Sequence, residues 1–200
     1  MLMVLEGIDG SGKATQAKLL RPDFLVSFPR YDKFFGRVIK FLLHLPWGQK
    51  INPYLLAGLF ATDRWQAKKE INYWLNKGKT VVIDRYTGSS QAHQGAKLNG
   101  DKREKIINLI DWLENKCFRL PQADMVFFLN LNSEKTRLLM AKREREKDSA
   151  EKDLEHQEQA FKIYQQLAKR KKWQIINCLD KSGKLLTAKE IHAQVRTRLN

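Results

Sequence analysis

Apolar residues are spaced in two ways along this chain. Short, nearly unbroken apolar runs occur at MLMVL (1–5), FLVSF (24–28), TVVID (80–84), ADMVFFLNL (123–131) and WQIINCL (173–179). Runs of this length read as buried strands, and the β-branched run at 80–84 fits a parallel strand covered on both faces. Between them the apolar positions recur at helical spacing. GKATQAKLLRP predicts a helix that stops near Pro22. Phe34, Phe35, Val38, Phe41, Leu42 and Leu45 predict a helix over 33–44, broken by Pro46 and Gly48. A long helix is predicted from Pro53 to Asn76, and an amphipathic one over 102–117 through Ile106, Ile107, Ile110, Leu113 and Cys117. The segment 133–172 reads as charged and helical with a weak middle at KDSAEKD, and 187–199 as a closing helix. Strands alternating with helices predict an α/β domain with a parallel sheet, spanning residues 1–200 without repeats or linkers.

Composition narrows the class. The 200 residues are 42% apolar and 30% charged, enough for one sizeable core. No apolar run reaches the roughly 18 residues of a membrane span, and Glu6 interrupts the first run too early for a signal peptide. Cys117 and Cys178 fit no metal or redox spacing and read as free thiols in a reducing, cytoplasmic setting. The net charge of +15 favours anionic partners such as phosphates, nucleotides, nucleic acid or anionic lipid. The same charge is also met by solvated lysines on helix faces.

Candidate chemistry starts at EGIDGSGKATQ, residues 6–16. Gly7-x4-Gly12-Lys13 follows a predicted strand and opens a predicted helix, the setting of a phosphate-binding loop. Gly7, Gly10 and Gly12 let the backbone turn its N–H groups inward, and Lys13 reaches the terminal phosphates. Gly7, Asp9, Gly10, Ser11, Gly12, Lys13, Ala14 and Thr15 make up the expected nucleotide loop. Ala14 stands where a Ser or Thr hydroxyl normally faces magnesium, and Thr15 lies about 100° further round the helix. The second constellation is DRYTGSSQAHQ, 84–94, at a predicted strand end, where ligands sit in open α/β sheets. Asp84 is placed to orient a metal and Arg85 to clamp a phosphate; Ser89, Ser90 and Gln94 border the cleft on a loop or helix.

EGIDGSGKATQ, FPR (28–30), FATDRW (60–65) and DRYTGSSQAHQ resemble, in order and approximate spacing, the motifs of the thymidylate kinases. Gly36, Ile39 and Leu43 resemble that family's helix after FPR. The resemblance implies a P-loop kinase fold, a three-layer α/β/α arrangement with a five-stranded parallel sheet and a helical lid at about 141–156. It implies transfer of the ATP γ-phosphoryl group to dTMP with Mg2+, in a homodimer that needs neither nucleic acid nor membrane. By position, Phe60 stacks on thymine, Arg64 donates to a thymine carbonyl, and Ser90 and Gln94 lie near the base. Phe28 and Ser89 line the nucleoside site, Arg85 and Arg30 hold the acceptor phosphate, and Asp9 stands near it and the 3′-hydroxyl. Asp84, and with it Asp9, are the candidate metal ligands; Arg143 and Arg145, with Lys147, are the candidate lid cations. His93 stands where the family has tyrosine, Asn130 where aspartate is common, and the lid lacks the usual glycine and Asp-Arg pattern.

The implied chemistry needs no strong base. A phosphate monoester is mostly ionised near neutrality, its second pKa being about 6. Positioning and charge neutralisation then carry the reaction. Two other readings stay open: a related kinase for another nucleoside monophosphate or a deoxynucleoside, and a non-catalytic nucleotide- or nucleic-acid-binding protein.

Overall fold

The computed structural model describes residues 1–140 and 153–199. The expected strands form as β1 (Leu2–Glu6), β2 (Phe24–Ser27), β3 (Val81–Asp84), β4 (Met125–Asn130) and β5 (Gln174–Asn177). They make one parallel sheet in the order β2-β3-β1-β4-β5. Every residue of β1 and of β3 is buried, as their unbroken apolar runs require for strands covered on both faces.

The helices are α1 (Lys13–Leu19), α2 (Phe34–His44), α3 (Pro53–Asn76), α4 (Thr87–Gly95), α5 (Gly100–Trp112), α6 (Ser133–Met140), α7 (Leu154–Arg170) and α8 (Ala188–Thr197). Successive strand residues point to opposite faces, so the sheet feeds separate cores. Met3, Leu5, Val82, Phe127, Leu129 and Ile176 pack with Ala17 of α1 and with Ile191 and Val195 of α8. Leu2, Val4, Val81 and Ile83 pack against Ala67 and Ile71 of α3, while Phe128 meets Ile163, Tyr164 and Leu167 of α7. Helices therefore cover both faces of the sheet. Each buried Leu, Ile or Phe contributes about 1.5–3 kcal/mol of transfer free energy.

The stretch after β3, which the sequence leaves open between loop and helix, is a helix, α4, in which all residues but His93 are buried. The helix expected over 102–117 starts at Gly100 and gives way after Trp112 to a π-helical turn, Leu113–Cys117. Of the segment 133–172, α6 and α7 lie within the described residues; Arg143, Arg145 and Lys147 lie outside them.

Candidate active site

The carboxyl ends of β1 and β3 are neighbours in the sheet, with Leu5 opposite Asp84. Each runs straight into one of the two sequence constellations. After β1 the chain turns at Gly7, φ 147°, where a Cβ would lie 3.1 Å from the Leu129 carbonyl oxygen and 2.8 Å from Ser11 Oγ. Gly12 caps α1 in the left-handed region, φ 96°. The first turn of α1 has no acidic residue, so the positive end of the helix dipole is left for a ligand. Lys13 is buried at this end, and its Nζ donates to the Ile8 carbonyl at 2.8 Å. Burial, with Arg85 nearby, lowers its ammonium pKa to about 8.

After β3, Arg85 adopts φ 70°, and its N–H donates to the Leu5 carbonyl at 3.0 Å. That conformation brings its guanidinium back over the loop, where Nη2 pairs with Asp9 Oδ1. Burial works against the Asp9 carboxylate, but Arg85 and Lys13 outweigh it and hold its pKa well below the usual range. Burial likewise opposes the Arg85 cation, and Asp9 reverses the balance, raising its pKa. The second Asp9 oxygen accepts from Gln157 Nε2 of α7 at 3.2 Å. Asp84 is buried, and its Oδ1 has no hydrogen-bond partner among the described residues.

Arg85 Nη1 lies 3.3 Å from His93 Nε2. A guanidinium only donates, so Nε2 accepts and the His93 proton sits on Nδ1. Nδ1 faces His156 Nε2 at 3.3 Å and donates to it. The two imidazoles stack at 5.5 Å. Both are held neutral: burial and Arg85 push His93 far down, and burial and Lys97 lower His156 to about 4.

Below the cleft floor, Glu6 ties three elements together. Its Oε1 accepts from the backbone N–H groups of Tyr86 and Ser89 at 3.0 and 3.1 Å, capping α4. Its Oε2 accepts from Ser89 Oγ at 2.6 Å and from Tyr164 of α7 at 3.2 Å.

The other end of the cleft is aromatic. The Arg64 guanidinium lies 5.8 Å from the centre of the Phe28 ring and 5.9 Å from that of Phe60. Its Nη1 donates to Ser90 Oγ at 2.8 Å and to Glu114 Oε1 at 2.7 Å. Burial raises the Glu114 pKa, opposed by Arg64 and the Thr87 hydroxyl. Arg64 Nε and Gln94 Oε1 are buried without a hydrogen-bond partner among the described residues.

These groups share one cleft of about 780 Å³, within the usual size range of a small-molecule site. Asp9, Gly10, Gly12, Lys13, Ala14, Thr15, Phe28, Phe60, Arg64, Asp84, Arg85, Ser89, Ser90, His93 and Gln94 all line it. Gly7 and Ser11 are buried and outside its lining. Arg30 also differs from expectation. Asp63 holds it by backbone and side chain, with Arg30 N to Oδ2 at 2.8 Å, Nε to Oδ1 at 3.3 Å and Nη2 to the Asp63 carbonyl at 2.8 Å. It does not line the cleft. Asp9 is a poorer metal ligand than Asp84, because both its oxygens are engaged.

Several residues were missed by the sequence reading. Lys97 and His156 line the cleft, Glu6, Glu114 and Gln157 hold residues that do, and Asp63 holds Arg30 beside it. Lys97 lies four residues after His93, in the turn that follows α4, and that spacing is a usable signal.

Comparison with known proteins gives the same picture. A family model described as thymidylate kinase matches residues 5–191. A thymidylate kinase of Schizosaccharomyces pombe is 31% identical over 205 residues, covering 97% of this chain and 89% of the relative. A probable thymidylate kinase of Pyrococcus abyssi is 39% identical over 140 residues, 64% of each chain. The solved structure of the thymidylate kinase from Candida albicans superposes with a TM-score of 0.78 at 25% identity, over 99% of this chain and 90% of that one. The α/β architecture is thus that of a P-loop kinase, and the chain belongs to the thymidylate kinase family.

Proposed function

We propose that this protein transfers the γ-phosphoryl group of ATP to the 5′-phosphate of dTMP, giving dTDP and ADP. The observation that carries the reading is the make-up of the 780 Å³ cleft. Within it lie a glycine loop with Lys13, the Arg85 cation, and an aromatic end with unsatisfied donor and acceptor atoms. The loop and Lys13 bind the ATP phosphates. Arg85 holds the acceptor phosphate, so that two polyanions lie together at bearable electrostatic cost. Its pairing with Asp9 fixes the fork before the acceptor arrives. An oxygen of the acceptor phosphate attacks the γ-phosphorus as the bond to the β-phosphate oxygen breaks. The attacking group is already an anion, so the neutral His93 and His156 need not take a proton.

Phe60 and Phe28 supply apolar faces for the base, and Arg64 Nε and Gln94 Oε1 supply a donor and an acceptor. Thymine presents both carbonyl acceptors and an N–H donor. The buried, unpartnered Asp84 oxygen suits a hard cation, and Asp84 would hold Mg2+ here without a hydroxyl from residue 14. When bound, Mg2+ supplies charge neutralisation across the phosphates. Exposed Phe34 and Phe41, seven residues apart on one face of α2, support a homodimer through that helix.

The test is a panel of dTMP, dUMP, dCMP, UMP and thymidine with Mg-ATP. dTMP is expected to give the highest kcat/KM, with dTDP as product. Tight ATP binding without turnover of any nucleoside monophosphate would overturn the reading.

A further inference from the structure

Glu114 belongs to none of the quoted motifs and plays no part in the mechanism above. It is nevertheless fully buried, 0% exposed. The π-helical turn Leu113–Cys117 carries it in behind the aromatic end of the cleft. Its two oxygens grip two walls. Oε1 accepts from Arg64 Nη1 on α3 at 2.7 Å, and Oε2 accepts from Thr87 Oγ1 on α4 at 2.8 Å. Ser90 Oγ, also on α4, takes a second bond from the same Nη1 at 2.8 Å. One terminal nitrogen of Arg64 is thus fixed from two sides, while its Nε has no hydrogen-bond partner among the described residues.

A lone guanidinium in a cleft built for phosphates would attract any anion. Paired with Glu114, it presents N–H donors without net charge. We infer that Glu114 is a positioning residue for acceptor recognition. It fixes the Arg64 fork and cancels its charge, so that this end of the cleft takes an uncharged nucleobase carbonyl rather than a second phosphate. The inference rests on Arg64 facing the base.

The experiment compares wild type with Glu114→Gln, Glu114→Asp and Thr87→Val. It uses steady-state kinetics on dTMP, dCMP and ATP, with thermal melting in parallel. In Glu114→Gln the KM for dTMP is expected to rise about tenfold or more, the usual scale for losing a charged hydrogen bond. The KM for ATP stays within about twofold, and the preference for dTMP over dCMP narrows. Glu114→Asp restores the charge and brings the KM back towards wild type. Thr87→Val leaves the ion pair in place and removes only the second anchor, so its rise in KM is smaller, about threefold. A purely structural role would lower the melting temperature and the active fraction but leave KM and base preference unchanged. An unchanged KM for dTMP in Thr87→Val overturns the inference, whether or not Glu114→Gln folds. A wild type that phosphorylates no nucleoside monophosphate instead overturns the proposed function.

Discussion

The two ends of the cleft are built on different plans. At the phosphate end, backbone N–H groups and cations lie within short stretches of chain: Gly12 and Lys13 on one loop, Asp84 and Arg85 on one strand end. At the base end, Arg64 is oriented by Glu114, fifty residues away in sequence, and by Ser90 and Thr87 through α4. At the first end Lys13 has no ion pair among the described residues and Arg85 is paired with Asp9, which itself lines the cleft; at the second the partner of Arg64, Glu114, lies outside the lining. A phosphate needs a field, which a few local charges provide. A neutral base needs a fixed pattern of donors and acceptors, which only rigid packing provides.

Variants at the two ends should therefore fail in different ways. Lys13→Ala is expected to lower kcat by about a thousandfold, measured with saturating ATP and dTMP, because a charge acting on the transferring group is lost. Arg85→Ala should cost about a hundredfold in kcat/KM for dTMP and little in ATP affinity measured by calorimetry. Phe60→Ala belongs to the other plan. Loss of a stacking face should raise the KM for dTMP by about tenfold while kcat is kept. If Phe60→Ala lowered kcat and left KM alone, the division of labour would be wrong.

Acidity sharpens the contrast further. Lys13 is charged below its pKa of about 8 and neutral above it. The kcat/KM for ATP should fall as pH rises through 8, by up to about tenfold per unit. The binding of a neutral base analogue such as thymidine should stay flat over the same range. Ala14→Ser should give the smallest effect, a change in Mg2+ dependence within about threefold, since Asp84 already offers an unpartnered oxygen.

The difference in plan also decides what the sequence reveals. β1 and β3 were legible because burial on both faces demands unbroken apolar runs, and the partly exposed β2, β4 and β5 because their short apolar runs stand apart from the helical spacing around them. Lys13, Asp84 and Arg85 were legible because their chemistry is packed into contiguous motifs. α4 was not, since Thr-Gly-Ser-Ser-Gln is poor helix-forming sequence. The helix stands because Glu6 caps its first N–H groups and because it is buried among α3, α5 and α7. Arg30 was expected to help hold the acceptor phosphate, and nothing in the sequence shows that the Asp63 carboxylate is buried beside it. Glu114 did leave a trace. It sits four residues after Ile110, in the π-helical turn that continues the apolar stripe of α5, and a carboxylate there must find a buried partner.

One further consequence follows from Arg85. A non-glycine residue at φ 70° costs about 1–2 kcal/mol. The protein carries that cost at the one residue whose guanidinium bridges Asp9 and His93. The ion pair with Asp9 offsets that strain in the folded protein. Arg85→Gly should melt higher than Arg85→Ala, by the advantage of about 1 kcal/mol that glycine holds at positive φ, though both lose the same cation. Both variants also leave the Asp9 carboxylate without its cation, so each should melt below the wild type.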